Sequence, residues 1–262
     1  MSRAIEEAVL SPGKRLRPLA TLASAAAARS ADEAALDVAA AVEYVHAASL
    51  VLDDLPSMDD AARRRGRPAL HVAHGVATAE LVAVALLARA FEIVAGSPRL
   101  SAAARVRVTA ELSAAVGAAG CSGGQAADLA AEPASTGLDG LESIHARKTG
   151  ALFVAAVRGG AIAAGAGEGT IAALTAYARN VGLAFQITDD LLDLEGDAAR
   201  MGKDVGRDAH KANFATILGP DSCRRLVDEL LDASVAALRP VGAARRTAVL
   251  ADLARVVRER RS

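Results

Sequence analysis

Residues 38–60 read VAAAVEYVHAASLVLDDLPSMDD, and this stretch decides the fold. Val38, Val42, Val45, Ser49 and Leu52 step by four and three, which traces one face of a long α-helix. The helix runs into four carboxylates, Asp53, Asp54, Asp59 and Asp60, within eight residues. Pro56 has no N–H and its ring crowds the carbonyl of Leu52, so the helix is expected to bend or bulge there and turn Asp59 toward Asp53. Acids this close repel one another unless solvent or a divalent cation lies between them. Hard Mg²⁺ takes carboxylate oxygens together with water and substrate phosphate. Taken alone, the stretch is equally an acidic, solvated helix end before a turn.

The helical pattern extends along the chain. Leu81, Val84, Leu87 and Phe91 form a second face, and similar periodicity covers 101–119, 149–164, 168–194, 222–238 and 243–259. Alanine makes up about a quarter of the 262 residues. It is the best helix former and a poor strand former. Aromatic residues are only 2 % and Trp is absent, which excludes a single-strand nucleic-acid binder built on stacking platforms. No alternating strand pattern, fixed repeat or long linker is found, so the chain reads as one all-α domain over 1–262.

Net charge is −1, from 30 basic and 31 acidic residues. Nothing global points to nucleic acid or an anionic membrane, so any charge-driven function is local. Cys121 and Cys223 are too few for a disulfide framework and fit a reducing cytoplasm. The N-terminus has no apolar run of the signal-peptide kind. Val76 to Ala95 is very apolar but carries Glu80, Arg89 and Glu92, so it is expected to be a buried core helix and not a membrane span.

A second acid cluster reads FQITDDLLD at 185–193. Asp189, Asp190 and Asp193 share a helical stripe, with Gln186 one turn back, among apolar Ile187, Leu191 and Leu192. Two such acidic segments facing one cavity would hold several Mg²⁺ ions, and that many ions imply a diphosphate ligand. Basic groups alternate with the acids: Lys14, Arg15 and Arg17, then Arg63 to Arg67, then Lys148, then Lys203 and Lys211. Arg binds phosphate bidentately and Lys acts as a point charge. His46 lies seven residues before Asp53, on the same face, and is expected to reach a ligand. The basic run from Arg255 to Arg261 is expected to be a solvated last turn that complements the helix dipole.

These segments resemble the polyprenyl (isoprenyl) diphosphate synthase family. Its markers occur in order: GKRLRP at 13–18, DDLPSMD at 53–59, RRGRP at 64–68, GGQAADL at 123–129, KTG at 148–150, FQITDDLLD at 185–193 and GKD at 202–204. HAASLVLDDLPSMDDA, AVALL at 83–87 and MGKDVGRDAHK at 201–211 resemble more closely the bacterial geranylgeranyl diphosphate synthases of carotenoid and photosynthetic-pigment pathways. The resemblance implies an antiparallel helical bundle around a central cavity (the isoprenoid synthase fold) and a homodimer. It implies Mg²⁺ at Asp53, Asp54, Asp59, Asp189 and Asp193, as a cluster of about three ions with bound diphosphate. Arg64, Lys148, Gln186 and Lys203 would contact the allylic diphosphate. Lys14, Arg17, His46 and Arg65 would hold isopentenyl diphosphate. Thr149 and the Lys148 carbonyl would face a carbocation, so Asp53, Asp54, Lys148, Thr149 and Asp189 are the expected catalytic residues.

Product length in such an enzyme follows what lines the tunnel for the growing tail. Ala48 and Ser49 lie one turn, about 5.4 Å, below Asp53. Farnesyl synthases usually carry an aromatic at the position of Ala48, and its smallness implies a C20 product. A farnesyl (C15) product, or a non-catalytic subunit of a prenyl synthase, is the alternative. Such subunits usually lose an acid motif, and both are intact here. Relatives usually have a longer segment before GKRLRP. This chain has twelve residues there, so the family's usual first N-terminal helix is expected to be missing.

Overall fold

The computed structural model describes residues 1–29, 33–131, 136–195 and 213–260. Thirteen α-helices account for most of this: α1 (Ser2–Leu10), α2 (Leu16–Ala28), α3 (Ala34–Asp53), α4 (Leu70–His74), α5 (Val76–Gly96), α6 (Ala102–Val116), α7 (Cys121–Ala130), α8 (Leu138–His145), α9 (Ala151–Ala163), α10 (Glu168–Glu195), α11 (Phe214–Leu218), α12 (Pro220–Ala237) and α13 (Ala244–Glu259). The expected all-α bundle is what forms. One turn of π-helix, Ala146–Gly150, joins α8 to α9. Helix starts follow local chemistry. The Ser101 hydroxyl accepts the N–H of Ala104 at the head of α6, and Asn213 forms a reciprocal capping box with Thr216 at α11.

Helix α9 is the centre of the bundle. It packs against α2, α3, α6 and α10 and buries nine of its thirteen residues. The alanine-rich composition has its use here, because small residues let helices approach closely. A side chain at Gly160 would run into the backbone of Thr21 on α2. The Ser24 hydroxyl crosses the same contact to the Val157 carbonyl at 2.8 Å. A second cluster, centred on Ala47, Ala48, Val51, Val82, Ala83 and Leu86, welds α3 to α5, and α1 joins it through Ala4. The N-terminal segment is thus an ordered amphipathic helix, with Ala4, Ile5, Ala8 and Val9 turned inward.

By length and composition alone α3 could cross a membrane, but it is the helix held between α2, α5 and α9. Its end differs from expectation. The helix does not bend at Pro56; it stops at Asp53 and the chain folds into a compact turn. The Asp59 N–H donates to the Asp53 carbonyl at 2.9 Å, and the Ala61 N–H donates to the Asp54 carbonyl at 3.1 Å. Proline cannot continue the ladder, so termination is the cheaper outcome.

The absence of strands also needs correction. Arg63–Arg64 (β1) and Arg67–Pro68 (β2) form a minimal antiparallel hairpin, with Arg63 opposite Pro68. Arg65 and Gly66 turn it with φ of 53° and 76°, the paired positive values of the tight hairpin turn.

Candidate active site

The acid turn after α3 and the arginine hairpin face each other. Asp54 is 3 % exposed and accepts from Arg64, with Nε at 2.8 Å from Oδ1 and 3.2 Å from Oδ2, while the Arg64 terminal nitrogen also bonds Oδ1. Two residues expected to serve metal and diphosphate are therefore paired with each other. Asp53 is half-buried, and burial pushes its carboxyl up while Lys148 opposes that rise. The turn carries Asp59 to within electrostatic reach of Asp53.

The basic loop of residues 11–15 also meets α3, where Arg15 pairs with Glu43. Arg17 is half-buried, and its Nη1 sits 3.4 Å from the Nε2 of His46. Burial and then Arg17 itself drive His46 down to about 2, so the imidazole is neutral and can accept from the guanidinium. Lys14 is depressed first by burial and then by the charge of Arg260, while Asp189 pulls it back up. The Arg65 guanidinium lies over the Cα of Gly13, where a side chain would meet its Nη1 at 2.6 Å. Arg17, His46 and Arg65 thus lie within reach of one another, while Lys14 senses Arg260 and Asp189.

The helical periodicity over 149–164 begins within KTG. KTG lies instead in the π turn, in the middle of a helical run from Leu138 to Ala163. Such turns break the regular ladder and often mark functional positions. Helix α7 explains how this one is held. A Cβ at Gly124 would lie 2.7 Å from the Cα of Lys148, so only glycine allows α7 to touch the turn. One helical turn later, Asp128 accepts from the Lys148 ammonium at 2.6 Å. Asp128 was not singled out from the sequence, and the GGQAADL stretch was the available signal.

The Thr149 hydroxyl donates to Gln186 Oε1 at 3.1 Å, and Gln186 Nε2 donates to Asp190 Oδ1 at 2.9 Å. Asp190 Oδ2 accepts the buried N–H of Phe214 at 2.9 Å. The three carboxylates of this motif therefore do not share one environment. Asp190 is 6 % exposed and points inward, and burial lifts it to about 6. Asp189 and Asp193 stay half-buried.

Asp189 pairs with Arg260 at 2.8 Å, and that guanidinium sits 4.4 Å over the Phe185 ring. This corrects the reading of the C-terminal basic run. Arg255 does lie on the surface, bonded to Asp252, and Arg258 is half-buried against Asp228 and Asp232, but Arg260 turns into the site. An apolar cavity opens beside it, lined by Leu16, Arg17, Thr149, Phe153, Val181, Gly182, Phe185, Leu253 and Val257. Lys203 and Lys211 lie outside the described residues.

Among the described residues, no three His, Cys, Asp or Glu side chains converge tightly enough to hold a metal ion by themselves. The donor set still fits Mg²⁺. That ion is commonly held by one or two carboxylates, with water and substrate phosphate completing its shell. Asp53 and Asp59 on one side and Asp189 and Asp193 on the other supply carboxylates of that kind.

The chain-length residues are packed more tightly than expected. Ala48 has no exposed surface, within the cluster of Val51, Val82, Ala83 and Leu86. The Ser49 hydroxyl donates to the His46 carbonyl at 2.9 Å. A tail reaches this depth only where side chains of α3 and α5 give way.

A family profile described as polyprenyl synthetase matches residues 1–220. The chain is 45 % identical over 225 residues to the farnesyl diphosphate synthase of Escherichia coli, covering 84 % of this chain and 75 % of that one. It is 42 % identical over 224 residues to the geranylgeranyl diphosphate synthase of Cyanophora paradoxa, with the same coverages. Among solved structures, an FPP/GFPP synthase from Zymomonas mobilis superposes with a TM-score of 0.86 at 38 % identity, over 97 % of this chain and 87 % of the other. A geranyltransferase from Helicobacter pylori, complexed with magnesium and isoprenyl diphosphate, superposes with a TM-score of 0.86 at 30 % identity, over 97 % and 86 %.

Proposed function

This chain belongs to the polyprenyl synthetase family, and from that premise we propose that it is a Mg²⁺-dependent trans-prenyltransferase that extends allylic diphosphates with isopentenyl diphosphate to geranylgeranyl diphosphate, C20. One arrangement carries the reading: basic groups accompany both acid motifs, with Arg17 and Arg65 beside neutral His46, Arg64 on Asp54, Lys148 near Asp53 and Lys14 near Asp189.

In this reading Lys14, Arg17, His46 and Arg65 hold the diphosphate of isopentenyl diphosphate. Arg64, Lys148, Gln186 and Lys203 hold that of the allylic substrate. Asp53, Asp54, Asp59, Asp189 and Asp193 would hold Mg²⁺, which supplies positive charge against the departing diphosphate. Arg64 and Lys148 add charge at the same leaving group, and they exchange Asp54 and Asp128 for phosphate oxygens as substrate enters. The C1–O bond of the allylic substrate breaks, and the double bond of isopentenyl diphosphate attacks C1. The proton then lost from the new chain passes to the released diphosphate, which leaves no need for a protein base. His46 is already neutral and acts as a hydrogen-bond partner, not as an acid. Thr149 and the Lys148 carbonyl, set in the π turn, face the cation. The apolar wall through Phe153 and Val181 helps keep water from quenching it.

Small side chains at Ala48, Ser49 and Ala83 support C20. The closed packing around Ala48 favours the second reading, a C15 product. Sizing the products of wild type and of Ala48→Tyr separates the two. The C20 reading expects the substitution to shorten the product to C15, and an unchanged product length contradicts it. Exposed Leu81 and Val84 on α5 and Val106 on α6 support assembly as a homodimer. Two free cysteines support a reducing, cytoplasmic setting.

A further inference from the structure

Arg15 is enclosed by diphosphate-binding candidates yet turns away from them. It occupies the cap position of α2 with φ 50° and ψ 34°, a left-handed conformation that side-chain-bearing residues rarely adopt. Past that twist Arg17 lines the apolar cavity, while the Arg15 side chain runs back to Val9 and Ser11. Its Nη2 donates to the carbonyls of Val9 at 2.9 Å and Ser11 at 2.7 Å, and its Nη1 bonds the Glu43 carboxylate. Glu43 is on α3, one turn before His46. Two rungs therefore join the loop to α3: Arg15 with Glu43, and Arg17 with His46.

The first rung solves two problems of the second. Arg15, Arg17, Arg64 and Arg65 lie close together, and all four bear on His46. Glu43 raises both Arg17 and Arg65 electrostatically, so it offsets repulsion that would spread the loop. The fork of Arg15 also fixes the carbonyl ends of the segment leading into Gly13, over which Arg65 lies. We propose that Arg15 and Glu43 are a positioning pair that pre-arranges Lys14, Arg17 and His46 for the isopentenyl diphosphate headgroup. The proposal rests on the prenyltransferase reading above.

Steady-state kinetics of the full chain with Mg²⁺, isopentenyl diphosphate and an allylic diphosphate test it. Arg15→Lys keeps the charge but loses the fork. It is expected to raise KM for isopentenyl diphosphate by roughly tenfold, with kcat and the allylic KM within about twofold of wild type. Glu43→Gln keeps the shape and removes the charge, and it is expected to shift the same constant in the same direction. Because it is the milder change, it carries the test where Arg15→Lys does not fold. An unchanged KM for isopentenyl diphosphate, or an equal rise in both KM values, would overturn the proposal while leaving the enzyme reading in place. Absence of elongation by wild type would instead overturn the enzyme reading and this proposal with it.

Discussion

The Asp190 carboxylate accepts the backbone N–H of Phe214 at 2.9 Å, across a sequence separation of 24 residues. This bond joins the second acid motif to the first residue of α11. The same carboxylate orients Gln186, and through it Thr149. Asp190 is thus committed to protein contacts, whereas Asp189 and Asp193 stay half-buried.

The buried Asp190 gives a pH dependence. Burial raises its folded value to about 6 from 3.8. A carboxyl raised in this way favours the fold when protonated, and that contribution fades as pH rises from about 4 through about 6. The ionised group costs at most about 3 kcal/mol above that window. Asp190→Asn keeps an acceptor for Phe214 without the charge. Metal-free Asp190→Asn should therefore gain stability relative to wild type between pH 4.5 and 7.5, as read from paired thermal melts. A constant offset across that range would be the contrary result.

His145 gives the opposite sign. Its ring packs 5.5 Å from that of Phe214, neither ring nitrogen has a hydrogen-bond partner among the described residues, and burial lowers it to about 4. A histidine depressed in this way contributes fully above about 6.5 and loses its contribution as pH falls toward 4. The loss at pH 5 is about 2 kcal/mol. His145→Phe keeps an aromatic ring against Phe214 and should flatten the decline in Tm between pH 7 and pH 5. An equal decline in the variant would refute this assignment.

Gly124 sets the position of Lys148. Any side chain there meets backbone of the π turn, which cannot swing aside as a flexible side chain can. Gly124→Ala should cost about 1–3 kcal/mol. It should also reduce kcat by one to two orders of magnitude, because a displaced cation misses the leaving group. Wild-type kcat in the folded variant would show that α7 does not set the site.

Arg260 must leave Asp189 for a cation to bind there. A partly exposed pair of this kind is worth about 0.2–1 kcal/mol. Arg260→Gln should therefore lower the Mg²⁺ concentration for half-maximal turnover by up to about fivefold. An unchanged or higher requirement would mean that the pair does not compete with metal.

Helices and acid motifs were legible because both are periodic. The four-and-three stepping from Val38 to Leu52 and the spacing of Asp189 and Asp193 need only the geometry of one helix. Pairings across the fold were not legible. Nothing local connects Asp128 to Lys148, or Arg260 to Asp189, because those contacts exist only once α7 and α13 have docked. The hairpin at Arg65-Gly66 had a turn signal but strands too short to show alternation. The π turn had no sequence signature, and the glycine that packs against it, Gly124, lies on another helix. Ala48 was rightly seen as small, but its burial against α5 depends on the alanines facing it.

The central claim is tested most directly by incubating the purified full-length chain with Mg²⁺, isopentenyl diphosphate and each allylic primer in turn, then sizing the products by chromatography. The account predicts metal-dependent elongation that ends at C20. No elongation from any primer would contradict it, and an end at C15 would leave the prenyltransferase standing while refuting its proposed product.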